Sequence, residues 1–88
     1  MKAILTVLGK DKVGIVASVS QVLAENDINI LDVSQTIMDD NFVMMMMVNV
    51  PKDKDFADLS AKFTDLGKDL SVEINLRNEE LYDAMHQL

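Results

Sequence analysis

The chain has 88 residues, fifteen acidic against eight basic side chains for a formal charge of −7, 49% apolar residues and no cysteine. That length makes one domain with one small core, burying about 60–65% of the surface its unfolded form exposes. The lack of cysteine excludes disulfides, thiolate metal sites and thiol catalysis, and the acid excess argues against direct nucleic-acid binding, which works by Lys and Arg displacing phosphate counterions.

Residues 2–8 form an apolar, β-branched run with no polar face, the pattern of a central strand. Gly9-Lys10-Asp11-Lys12-Val13-Gly14 follows and reads as a strand-to-helix turn. Gly9 is expected to give the tight exit through a positive φ, and Asp11 to cap the helix with its carboxylate. Gly14 admits something close to the helix start: a neighbouring strand, a partner chain or a ligand. Ile15, Val16, Val19, Val22 and Leu23 then carry helical spacing over 12–26, closed by Glu25-Asn26-Asp27.

Residues 28–38 read as a second strand with broken alternation. Ile28 and Ile30 share one parity and Leu31, Val33 and Ile37 the other, which predicts a bulge near Ile30-Leu31. Asp39-Asp40-Asn41 has hairpin-loop composition. Residues 42–50 are apolar on both faces, with Met44 to Met47 in the middle, and read as a buried central strand ended by Pro51. Consecutive strand side chains alternate faces, so four sulfurs do not converge on a metal and the methionines are core filling.

Asp53 or Asp55 is the expected cap of a second helix carrying Phe56, Leu59, Phe63 and Leu66, with Gly67 as its left-handed stop. Residues 70–76 alternate, with Leu70, Val72, Ile74 and Leu76 inward, as in an edge strand. Asn78 then opens a short terminal helix over 78–88, striped by Leu81, Tyr82, Met85 and Leu88. The order β-α-β-β-α-β predicts an α+β ferredoxin-like plait with antiparallel sheet order 4-1-3-2, helices on one face, and that terminal helix in addition. The plait occupies 2–76 of a single domain, 1–88. Its second face is apolar and needs a cover: the terminal helix, a second subunit, or both.

No catalytic constellation is evident, since Ser18, Ser20 and Ser34 have no partnering base and His86 is the single histidine. No enzyme, metal or cofactor is expected. No stretch is long enough to span a membrane, and Met1-Lys2-Ala3-Ile4 lacks a signal-peptide pattern, so a cytoplasmic protein is expected.

On Gly9-x-Asp11-Lys12-x-Gly14-Ile15-Val16, with Asn29-Ile30 opening the second strand, the sequence resembles the ACT domain, the small-molecule-sensing plait of amino-acid metabolism. The whole chain is similar to a bacterial family of small stand-alone ACT proteins without an assigned function, and to the ACT repeats of the glycine-cleavage repressor. The resemblance implies a homodimer, often paired edge to edge through the second strands or helices, with a tetramer as the alternative assembly. It also implies a ligand site between the first loop of one chain and the second strand of its neighbour: here Lys10, Asp11, Val13, Gly14 and Ile15, facing Asn29 and Ile30. Amino-acid-binding members often carry asparagine where Asp11 stands and proline where Val13 stands. The expected function is a dimeric, non-enzymatic regulator binding an amino acid, the alternative a ligand-free interaction module.

Overall fold

The computed structural model describes residues 1–10 and 14–78. Over them the order is β1 (Lys2–Gly9), α1 (Ile15–Glu25), β2 (Asn29–Met38), β3 (Asn41–Asn49), α2 (Phe56–Leu70) and β4 (Glu73–Asn78). The sheet runs β2-β3-β1-β4, all pairs antiparallel, which is the expected plait order read from the other edge.

The register explains the burial. Leu5 lies between Met46 on β3 and Leu76 on β4, and Val7 between Met44 and Ile74. All six are at most 4% exposed, and they face the helices. The apolar stripes of α1 (Ile15, Val19, Leu23) and α2 (Leu59, Phe63) close this core from above. Each fully buried side chain of this size contributes about 1.5–3 kcal/mol of transfer free energy. The four methionines alternate as a strand requires: Met44 and Met46 are buried, Met45 is 40% exposed on the other face, and Met47 beside it is half-buried. The predicted bulge is present, because Ile30 pairs with Val48 and Asp32 with Met47, leaving Leu31 as the extra residue.

Several expectations are corrected. Helix α1 starts at Ile15 rather than near residue 12, and its N-cap is Gly14 at φ 80°, not Asp11. The first helical hydrogen bond joins the Ser18 N–H to the Gly14 carbonyl at 3.0 Å. Gly14 is the glycine with positive φ; Gly9 is extended and closes β1. What Gly9 supplies is room, since a Cβ there would run into the Val72 side chain.

Gly67 does not end α2. It is buried inside the helix, and the left-handed residue is Ser71 at φ 58°. The Val72 N–H reaches the Gly67 carbonyl at 2.9 Å and the Ser71 N–H the Lys68 carbonyl at 3.3 Å, the paired bonds of a Schellman ending. Leu70 therefore belongs to the helix, and β4 begins at Glu73 rather than residue 70, although Ile74 and Leu76 do face in. The hairpin loop is Asp39-Asp40, while Asn41 already pairs with Met38. Of the two proposed caps for α2, Asp55 is the one used, accepting from the Ala57 N–H at 3.0 Å. Asn78 is the last residue of β4, and the rest of the expected terminal helix lies outside the described residues.

Candidate functional site

The two helix starts differ. The start of α2 is satisfied twice over, by the Asp55 carboxylate and by Asp58 in its first turn, next to the positive end of the helix dipole. The start of α1 has neither. Its cap residue is a glycine without a side chain, no side-chain cap hydrogen bond is made, and no acidic residue lies in its first turn. The opening N–H groups of an α-helix have no intrahelical acceptor. Gly14 is exposed, and a Cβ built on it meets no atom within 4 Å among the described residues. Among the described residues no side chain caps these donors, so the end of α1 offers N–H groups and the positive end of its dipole, an arrangement suited to a carboxylate or phosphate.

Lys10, exposed, leads into this corner. The Ile15 side chain does not line it: it is 3% exposed and part of the core, so only its backbone is available. Asp11 and Val13, assigned to the same site, lie outside the described residues. Asn29 and Ile30 are exposed but distant within one chain. Register places Asn29 level with Asn49 and Lys2, whereas Gly9 is level with Phe42 and Ile37. The two halves of the expected site therefore occupy opposite ends of the sheet, separated by about 23 Å of strand at ~3.3 Å per residue. One copy does not bring them together.

The edge that carries Asn29 is unusual. All ten residues of β2 are exposed, on both faces. Ile30, Val33 and Ile37 share the helix side with Val48, Met46 and Phe42, yet are 43%, 40% and 59% exposed. Leu31 and Met38 add 51% and 62%. Beyond its pairing with β3, among the described elements it meets α1 alone, and marginally, while α2 lies along β4.

Reasoning from the sequence missed a further feature on the face away from the helices. Ile4, Met45 and Met47 with Asp32 and Ser34 line a shallow recess of about 100 Å³. The signal was present in the odd positions of β3, but its polar rim depends on the bulge that sets Asp32 opposite Met47. Among the described residues no cluster of three or more His, Cys, Asp or Glu is placed to hold a metal ion, and no helix is long and apolar enough to cross a membrane.

Comparison with known proteins agrees with this architecture. A UPF0237 protein of Listeria monocytogenes is 54% identical over 89 aligned positions, covering the whole of both chains. The structure of an ACT domain protein from Streptococcus pneumoniae superposes with a TM-score of 0.85 at 46% identity, covering 93% of each chain. A putative glycine cleavage system transcriptional repressor shares the fold at TM-score 0.78 and 23% identity, over 88% of this chain and 47% of that one. The ACT domain family profile matches residues 2–77, nearly the whole described sheet and both helices, and the chain belongs to the ACT domain family.

Proposed function

We propose that the chain is a non-enzymatic regulatory protein that binds an amino acid in a cleft shared by two copies. The observation that carries this reading is the start of α1, which no side chain among the described residues caps, whereas a carboxylate caps α2. A ligand carboxylate would take that place, accepting from the first-turn N–H groups beside Gly14. Its ammonium would lie toward Asp11, whose negative charge suits an amine where an amide would be neutral. Lys10 eases the approach of an anion, though an exposed lysine is worth little.

Asn29 enters from the second copy. Antiparallel pairing of two β2 edges about a two-fold axis sets the Asn29 end of one strand against the Met38 end of the other. Met38 and Ile37 are level with Gly9 and the start of the first loop. Such a pair keeps the helices of both copies on one side. The cleft would then recur twice, once for each first loop.

A thermal-shift screen of amino acids, followed by calorimetric titration, tests the reading, because a ligand that binds only the folded state raises its melting temperature. Asp11→Asn should weaken binding of the amino acid severalfold and leave stability alone, as Asn and Asp serve equally in a turn or cap. Asn29→Ala should weaken it as well. Equal affinities remove these residues from the site. Absence of binding at millimolar concentration favours the second reading, a module that pairs with another protein through the apolar β2 edge, which the exposure of Ile30, Val33 and Ile37 supports.

A further inference from the structure

The sheet face opposite the helices is apolar at its centre. Ile4 and Met47 are neighbours there, with Thr6 and Met45 in the next row and Leu8 and Val43 beyond. Ile4 is only 4% exposed, Met45 is 40% and Leu8 46%. The recess between Ile4, Met45 and Met47 has room for one apolar side chain and is closed on the β2 side by Asp32 and Ser34.

We propose that residues 79–88 cover this face of their own chain, seating Leu81, Met85 and Leu88 across Ile4, Met47 and Met45. The place where the described chain ends supports it. Asn78 pairs with Ala3, so the chain leaves the sheet one row from Ile4 and one strand away from it. Strands lie ~4.8 Å apart, which sets β1, β3 and β2 at about 5, 10 and 14 Å from that exit. Ten further residues follow Asn78. In helical form they span about 15 Å at ~1.5 Å per residue, enough to cross to the recess and no farther than β2. Their apolar positions recur at i, i+4 and i+7, a stripe about 10 Å long on one side of a helix.

The acidic residues of the segment, Glu79, Glu80 and Asp83, fall off that stripe. So short a helix is marginal alone in water and gains its order from the surface it lies on. The recess is on the opposite face from α1 and the ligand corner, so the cover and the proposed cleft are independent. By occupying the face, the segment also denies it to another copy, leaving the β2 edge as the open apolar surface.

Methyl-labelled full-length protein tests the arrangement by nuclear Overhauser contacts. The expected result is contact between the Met45 or Met47 methyl and the methyls of Leu81 or Leu88 within one chain, retained when labelled protein is diluted into unlabelled. Contacts that vanish on that dilution assign the face to a second copy and overturn the proposal, as does the absence of contacts. Peroxide oxidation gives a second measurement, since hydrogen peroxide passes one oxygen to an accessible thioether and leaves water. In Leu81→Asp, Met45 and Met47 should oxidise severalfold faster than in the native chain, with Met44 and Met46 unchanged on the helix side. Unchanged rates at Met45 and Met47 overturn the cover. Should all four accelerate, the variant has lost its fold, and the contacts in the native chain decide.

Discussion

At Gly14 two demands that glycine can meet are separable. The position sits at φ 80°, and a Cβ would touch nothing within 4 Å among the described residues. Among the described residues crowding therefore plays no part, and the left-handed backbone is what asks for glycine. A left-handed residue costs about 1–2 kcal/mol for ordinary L-amino acids and less for Asn, whose short polar side chain tolerates it. Gly14→Val should thus lower stability by about 1–2 kcal/mol in denaturant unfolding, and Gly14→Asn by clearly less. Equal losses for the two would mean that something packs against Gly14 after all. Ser71, Asp39 and Asp27, at φ 58°, 56° and 59°, hold the same conformation without glycine. This is why such positions are poorly legible: among the described residues glycine stands at one of four left-handed sites, and the two other glycines stand where space, not φ, is limiting.

Gly67 shows the same ambiguity at the scale of an element. In sequence it stands where a helix stop belongs, shortly before an alternating strand. In the fold it lets α2 lie against the start of β4: a Cβ there would be 2.7 Å from the Val72 carbonyl oxygen and 3.2 Å from the Ile74 nitrogen. Those are backbone atoms and cannot swing aside. Helix propensity alone predicts that Gly67→Ala stabilises an exposed helix by about 1 kcal/mol. Overpacking against backbone predicts a loss of about 1–3 kcal/mol, and that sign is expected here in thermal or urea unfolding. A gain would mean that α2 and β4 separate easily. The misplaced start of β4 has a related cause, since Leu70 and Val72 continue the parity of Ile74 and Leu76 through the end of a helix. Where an element is central, the reading was secure. Residues 3–8 and 42–48 carry apolar side chains on both faces because one face meets the helices and the other the recess. The break in parity at Ile30-Leu31 located the bulge because a bulge is what shifts parity.

For the molecule as a whole, the exposed strand β2 is the feature one copy does not explain. Soluble proteins blunt a free edge with Lys, Pro, shortness or a covering loop. β2 has ten residues, no Lys, Arg or Pro, and Asp32 as its single charge. No strand among the described residues pairs with its outer edge, where the Val33 N–H turns to the Asp32 carboxylate, and that edge with its apolar side chains on both faces fits a second antiparallel copy. The same pairing would complete the proposed ligand cleft, whose two halves are nameable as residues from the sequence but whose separation along one sheet emerges only from the register. Edge and site can therefore be tested together. Val33→Lys combined with Ile37→Lys places two like charges on the edge at positions that are 40% and 59% exposed in the single chain. Substitutions at such exposed sites cost a monomer within about 0.5 kcal/mol each. A dimer built on this edge would bring four ammonium groups together across the axis and lose its pairing. Sedimentation should show the native chain at twice the mass of the variant at micromolar concentration. The concentration dependence of the native melting temperature, which linkage requires of a dimer, should disappear in the variant. Amino-acid binding should be lost in the same sample, because Asn29 no longer meets the first loop of a neighbour. A variant that keeps the native mass would remove β2 from the interface, and one that becomes monomeric yet binds with native affinity would confine the ligand to the first loop alone.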